Sequence, residues 1–280
     1  PGLYVVATPI GNLADMSLRA QEVLATVDVI AAEDTRHTRH LLNHYGIHTN
    51  CVSLHDHNEH EVVPALLARL QAGGRVAVVS DAGTPLVSYP GFLLVRESRR
   101  LGIAVMAVPG SSAITAALSI SGLPAVRFAF EGFLPPKSTP RQTRLRDLVH
   151  EQRTLIFFEV PHRIVDTLDD INLIFGAVRE IALMRELTKV HEQVIFGLVG
   201  EVLERVRVST DDQRGEMVLI VHGAPPVDVQ EIEIQRVLAL LLNELPLKPA
   251  AALAAQIVGC GRNQAYQIGL SLRSSSSDET

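Results

Sequence analysis

Tryptophan is absent from the 280 residues, and aromatic residues make up only 4% of the chain. So little aromatic surface is thin material for a pocket that grips a large flat macrocycle. Cysteine is nearly absent too. Cys51 and Cys260 are too few for a disulfide framework, which excludes the small, disulfide-stapled secreted class. No apolar run is long enough to span a bilayer, and Pro1 leads into a strand-like run without a leader pattern, so a reduced, cytoplasmic protein with no membrane partner is the expectation. An excess of positive charge is also missing: 25 Lys and Arg stand against 31 Asp and Glu, a formal net charge of −6. That excludes a wholly basic nucleic-acid glove, and any polyanion must be met by a local patch. Two nucleotide fingerprints are lacking. Residues 8–13 (TPIGNL) hold one glycine and not G-x-G-x-x-G, and no Walker A lysine pattern occurs.

What is present is an apolar chain, 47% hydrophobic, long enough for two domains and an appendage. Its organising stretch is VAVVSDAGTPLVSYPG (76–91). Val76 to Val79 read as a fully buried strand that runs into a turn of small residues, Ser80-Asp81-Ala82-Gly83-Thr84-Pro85. This is the pattern of a doubly covered parallel strand, and ligands bind beyond the carboxyl ends of such strands. Further strands are expected at 3–8, 27–33, 51–54 and 103–110. Helices are expected at 18–26 (capped by Ser17), through Leu42, at 61–72 and at 91–101. This alternation predicts a mostly parallel α/β sheet. A helix of small residues opens at Ser111-Ser112-Ala113 and stops at Gly122-Leu123-Pro124. Beyond it, strands are expected at 126–133, 154–160, within 179–188 and at 215–223, with a connection and a helix between the last two. After the linker Ala224-Pro225-Pro226 the chain reads as helical, with one helix from Pro249 and another from Arg262 or Asn263, joined at Gly259-Cys260-Gly261 like a helix-turn-helix. Ser274 to Ser277 open a tail expected to be disordered.

Three clusters carry chemistry. Glu33-Asp34-Thr35-Arg36 falls at a strand's carboxyl end; Asp34 suits a helix start, with Thr35 as cap, but Arg36 is a cation in a first turn, where the helix dipole disfavours it. Residues 137–153 (KSTPRQTRLRDLVHEQR) concentrate Lys137, Arg141, Arg144, Arg146 and Arg153 against Asp147 and Glu151, a local patch suited to phosphate. His55-x-His57-x-Glu59-His60 imitates the ligand string of binuclear metallohydrolases, but Glu replaces the usual Asp and no bridging carboxylate follows. Four more histidines nearby read as a solvated face, so no metal is expected.

Taken together, YVVATPIGNLADMSLRA (4–20), AEDTRHTRHLL (32–42), SDAGTP (80–85), PGSSAITAALSISGLP (109–124), FEGFLPPK (130–137), RTLIFFEVPHR (153–163), RELTKVHE (185–192) and GEMVLIV (215–221) resemble the tetrapyrrole methylase superfamily, and within it the branch that methylates small-subunit ribosomal RNA. The C-terminal helices resemble that branch's helical extension. The resemblance implies an α/β, two-domain tetrapyrrole-methylase fold with the donor cleft between domains, plus a small helix-turn-helix-like extension. It divides the chain into 1–112, 113–223 and 224–280. It implies S-adenosylmethionine as methyl donor, 2′-O-methylation of a cytidine ribose in the decoding region of 16S rRNA within the assembled small subunit, and a homodimer. Carried over by position, the donor contacts are Pro9, Ile10, Gly11, Asn12, Leu13, Ser80, Asp81, Ala82, Gly83, Thr84, Pro85, Ser111, Ser112, Ala113, Phe157, Phe158, Leu187, Gly215, Glu216 and Met217. Two departures stand out: Tyr89 occupies the place of a usual acid, and Arg214 that of a usual lysine.

A ribose hydroxyl is a weak acid, so a general base would help its attack on the donor methyl. Glu33, Asp34 and Glu186 are the candidates, with Arg36, Lys137, Arg185 and Lys189 as phosphate or oxyanion partners. Lys137, Arg141, Arg144 and Arg146 are the expected RNA contacts. The rival readings are a C-methyltransferase of a corrin or porphyrin precursor, a metallohydrolase and a ligand-sensing DNA-binding regulator. The terminal helices carry little positive charge for the last of these.

Overall fold

A computed structural model describes residues 1–87, 91–225 and 229–275. Tyr89, with its neighbours Ser88 and Pro90, lies outside the described residues. The chain forms two compact units, residues 1–149 with 153–222, and residues 150–152 with 223–280.

The first unit opens with β1 (Gly2–Val6), α1 (Leu18–Thr26), β2 (Val29–Ala32), α2 (Thr35–His44), β3 (Cys51–Ser53), α3 (Glu59–Gln71), β4 (Arg75–Val79), α4 (Phe92–Arg100) and β5 (Val105–Val108). The strands lie parallel in the order β3-β2-β4-β1-β5. Their central residues are apolar because both faces are covered. Val6, Ile30, Ala32, Ala77 and Val79 pack with Ala20, Leu24, Leu41 and Leu42 on one side. Leu3, Val29, Ala31, Val76 and Val78 pack with Val63, Leu66, Leu70 and Leu94 on the other. Ser17 caps α1 through a bond from the Ala20 N–H, as its spacing predicts. The cap of α2 is Asp34 and not Thr35: its carboxylate accepts from the backbone N–H groups of Arg36 and His37.

α5 (Ala113–Ile120) turns its apolar face to a second sheet. That sheet is built from β6 (Phe128–Phe133), α6 (Ser138–Leu148), β7 (Thr154–Glu159), α7 (Ile164–Phe175), β8 (Glu180–Arg185), β9 (Gln193–Leu198), α8 (Val199–Val208) and β10 (Met217–Val221). Its order is β6-β7-β10-β8-β9, and only β6 and β7 run parallel. The expectation of a mostly parallel sheet therefore holds for the first half alone. The expected connection before α8 is in fact β9, an edge strand. Alternation is strict here. Leu155, Phe157, Leu183, Leu219 and Val221 face α6, α7 and α8, while Ile156, Phe158, Ala182, Met184, Val218 and Ile220 face α5.

The second unit holds α9 (Val229–Leu241), α10 (Leu247–Val258) and α11 (Arg262–Ser275) around Ile234, Leu238, Ala250, Ala254, Ala265 and Ile268. Gly259 ends α10 in the left-handed conformation, at the expected joint. α10 begins at Leu247, with Pro249 inside its first turn, where no backbone N–H is needed. α11 runs through Ser275, so the serine run begins helical, and residues 276–280 lie outside the described residues.

Candidate active site

Because β1 and β4 are neighbours, the turns that leave them meet. Thr8 and Gly83 exchange backbone bonds of 2.9 and 3.1 Å, and the Thr8 hydroxyl donates to the Ser80 carbonyl at 3.1 Å. Gly83 adopts φ +73°, a conformation that favours glycine, and a Cβ there would press on Ile10 at 3.2 Å. The Ser80 hydroxyl is spent on the Ala82 carbonyl at 3.1 Å, shaping the turn from within. The Thr84 hydroxyl donates to the Ser111 carbonyl at 3.3 Å, tying the turn to the start of α5.

A cleft of about 450 Å³ opens beside these turns. Ile10, Ala82, Gly83, Thr84, Ser112 and Ala113 line it from the first half of the chain, and Phe158, Glu186, Leu187, Gly215, Glu216 and Met217 from the second. Eleven of the residues carried over as donor contacts thus line one cavity, together with the catalytic candidate Glu186. Pro9, Gly11, Asn12, Leu13, Ser80, Asp81, Pro85 and Ser111 do not line it but belong to the turns that do. Phe157 needs correction. Strand alternation turns its ring into the opposite core, fully buried, while Phe158 stacks edge-on with Phe130 and Phe133. The cleft also draws on Val87, Ile114, Phe133, Glu159, Val160, Pro161 and Val218, which the sequence reading missed. The one available signal was Glu159 and Arg163 four residues apart; they pair at 3.2 Å at the end of β7.

The carboxylates divide into two groups. Glu33 and Asp34 interlock with the 80–85 turn: the Asp81 N–H donates to Glu33 Oε2 at 3.4 Å, and the Asp34 N–H to Asp81 Oδ1 at 3.1 Å. Burial holds the Glu33 carboxyl above its ordinary range, and the charges of Asp81, Asp56 and Asp34 add to this, against the Asp81 N–H bond that opposes it. Asp34 lies at about 2, because the Arg36 side chain and backbone both donate to it. Arg36 thus compensates Asp34 and is otherwise exposed. Glu186, in the cleft itself, is held below the usual carboxylate range, chiefly by Lys189, whose ammonium lies 2.9 Å away. Lys189 also reaches Glu216 at 3.1 Å. Glu186 and Thr188 adopt φ +49° and +65°, left-handed backbone in non-glycine residues, which stores strain where ligands bind. Gly215 makes the room: a Cβ there would come within 2.4 Å of the Glu186 side chain. Arg185 fixes this loop from below by donating to the Arg214 carbonyl at 2.7 and 2.9 Å.

The expected RNA contacts fare unequally. Lys137 is exposed at the start of α6. Arg146 donates to Gln142 at 3.2 Å, and Arg144 pairs with Glu131 at 2.5 Å. Arg141 is withdrawn from that role. Its guanidinium is buried against Asp170 at 2.6 Å, and no phosphate can reach a side chain 3% exposed. The histidine string gathers no ligand set. Among the described residues no three His, Cys, Asp or Glu side chains are grouped so as to hold a metal ion, and Glu59 instead accepts from the Gly91 N–H at 2.8 Å.

Two sheets joined through α5 over a donor-sized cleft define the architecture of a methylase, and comparison with known proteins gives the same class. The family of Tetrapyrrole (Corrin/Porphyrin) Methylases matches residues 2–203, and the RsmI C-terminal HTH domain matches residues 228–273. Among solved structures, uroporphyrin-III C-methyltransferase from Thermus thermophilus complexed with S-adenosyl homocysteine aligns with TM-score 0.54 at 21% identity, over 79% of this chain and 97% of that one. Diphthine synthase aligns with TM-score 0.59 at 16% identity, over 79% and 89%. Proteins named ribosomal RNA small subunit methyltransferase I are much nearer in sequence. The one from Xylella fastidiosa (Temecula1) is 52% identical across 95% of this chain and 98% of its own length. That from Escherichia coli O157:H7 is 52% identical across 96% and 94%. The chain therefore belongs to the ribosomal RNA small subunit methyltransferase I family.

Proposed function

We propose that this enzyme transfers the methyl group of S-adenosylmethionine to the 2′-hydroxyl of a cytidine in the decoding region of 16S rRNA. The 52% identity to ribosomal RNA small subunit methyltransferase I, spanning both α/β halves and the helical extension, carries this reading. The cleft fits the donor. Its volume lies in the range of small-molecule sites, the Gly83 turn bares backbone, and Glu186 and Glu216, two carboxylates sharing the one ammonium of Lys189, leave a net negative charge beside the cavity. Bound in this cleft, S-adenosylmethionine would supply a methyl group on a sulfonium, whose sulfur would keep the C–S electron pair when the methyl passes to the ribose oxygen.

The chain's own part is positioning and the fate of one proton. Holding the two reactants in near-attack geometry is worth on the order of 7–11 kcal/mol. Glu33 is the better base, because burial and three neighbouring acids raise its proton affinity. Glu186, kept ionised by Lys189, suits the binding of positive charge. Asp34 and Arg36 hold the β2–α2 turn. At α6, Lys137 and Arg146, which meet no acid among the described residues, contact RNA phosphates; Arg144 and Lys189 would do so only by leaving Glu131 and the Glu186–Glu216 pair. The methylating part divides at residues 112 and 113, where α5 joins the second sheet's core, and residues 224–280 form the extension. The protein acts in the cytoplasm, as a homodimer, on assembled small subunits. No helix among the described residues is long and apolar enough to cross a membrane.

The test is transfer of labelled methyl from S-adenosylmethionine to small subunits lacking ribose methylation, read by nucleoside mass spectrometry. The expected product is 2′-O-methylcytidine. Donor binding without transfer to RNA would overturn the reading in favour of a corrin or porphyrin precursor as acceptor.

A further inference from the structure

Two of the three arginines on α6 are paired with acids, whereas on α2 Arg39 and three histidines are in no ion pair among the described residues. α2 reads TRHTRHLLNH, two arginines and three histidines without a carboxylate. Its buried side is Thr38, Leu41 and Leu42. The helical period therefore leaves Arg36, His37, Arg39, His40, Asn43 and His44 on one continuous solvent arc. Arg36 pairs with Asp34. Among the described residues Arg39, His37, His40 and His44 have no ion pair. An exposed row made of one unpaired cation, Arg39, and three imidazoles, in a chain of net charge −6, is a local feature suited to an anion on an acidic molecule.

Its position gives it a use. α2 starts at Asp34, directly after Glu33, and both are hydrogen-bonded to Asp81, the residue before cleft-lining Ala82 and Gly83. A strand laid along this arc is led to the 80–85 turn. The side chains also fit RNA in kind. Arginine meets phosphate, and imidazoles stack on unpaired bases or donate to phosphate, a function that otherwise falls to aromatics this chain scarcely has. His44 and Tyr45 already form an edge-on ring pair, with centroids 4.8 Å apart, and the Tyr45 hydroxyl donates to the Leu13 carbonyl, joining that end of α2 to the first turn.

We propose that the exposed arc of α2, centred on Arg39, His40 and His44, docks the phosphates and unpaired bases of the RNA that enters the cleft. This rests on the reading of the protein as an rRNA methyltransferase. The experiment compares the full-length protein with its Arg39→Ala, His40→Ala, His44→Ala triple variant. Binding of small subunits is measured from 50 to 200 mM salt, S-adenosylhomocysteine binding by calorimetry, and methyl transfer as KM and kcat for the subunit. All three side chains are exposed, so folding and donor affinity stay as they were. The expected result is a fall in RNA affinity of about tenfold or more and a salt slope shallower by about 1, with a raised KM and an unchanged kcat. A variant that keeps the affinity, slope and KM of the unaltered protein overturns the proposal, while its methyl transfer leaves the enzymatic reading intact. Absence of RNA methylation by the unaltered protein overturns both.

Discussion

α2 and α6 are both rich in arginine, and the structure uses them in opposite ways. On α6 two of the three arginines meet acids. Arg141 is buried on Asp170, which also accepts from Ser138 and Gln142, and Arg144 lies on Glu131. At the β2–α2 turn, carboxylates crowd one another instead, and Arg39 is in no ion pair among the described residues. The first arrangement fastens α6 to α7. The second leaves charge unsatisfied beside a cleft, as groups awaiting substrate do. Charge count alone would rank α6 as the RNA surface, and the partner of each charge reverses that order.

The largest effect that would sharpen the contrast is on the acid side of the α2 turn. Glu33→Gln keeps an oxygen for the Asp81 N–H but removes the base, and turnover is expected to fall by about 10²–10⁴-fold with donor affinity little changed. Stability should move the other way. Because the folded-state pKa of Glu33 is raised, its contribution to stability is full below the unfolded value near 4.5 and is lost as pH rises through the folded value. Ionised Glu33 is thus a burden at neutral pH, and the variant should melt no lower than the unaltered protein at pH 7.5. A turnover left intact would remove Glu33 from catalysis, and a marked drop in Tm would mean that its site is structural like that of Asp170.

Asp170→Ala is the matching test on α6. It strands a buried guanidinium, which costs about 3–5 kcal/mol, read as a lower urea midpoint. The sign with pH is the reverse of that of Glu33. Burial works to raise the Asp170 pKa, but the bonds from Gln142, Arg141 and Ser138 outweigh it and the folded value is lowered. Its stabilisation is therefore present above the unfolded value near 3.8 and lost as pH falls through the folded one. The variant's deficit should be full at pH 7 and shrink in acid. A deficit independent of pH would mean that lost packing, not the ion pair, is what Asp170 supplies.

These two turns also show how far the sequence could be read. The SDAGTP and TPIGN turns were legible because a fully apolar strand ending in small residues has few other meanings, and the cleft did form there. The role of α6 was not legible, since Asp170 lies 29 residues beyond Arg141 and a sequence displays charges without their partners. Glu186 shows both cases: Lys189, three residues on, was in view, whereas the Glu216 N–H that also bonds it, 30 residues away, was not. The antiparallel half of the second sheet was hidden for another reason. Strands covered on both faces lose the alternation that distinguishes one arrangement from another, and β9, a half-exposed edge, runs straight into α8.

The smallest effect separates the exposed part of α6 from α2. Arg144 is about half exposed, and its carboxylate partner Glu131 sits on β6. An ion pair of this kind contributes about 0.2–1 kcal/mol, so Arg144→Ala should shift the urea midpoint only slightly. Binding RNA through Arg144 would require it to leave Glu131, and that exchange offsets much of what a new phosphate contact supplies. The expected loss of subunit affinity is therefore less than about threefold, well below the loss from the α2 triple variant, and the salt slope should change by less than one phosphate contact. If Arg144→Ala instead matched the α2 variant in both affinity and slope, the pairing with Glu131 would be a resting state that RNA displaces, and α6 would share the docking surface with α2.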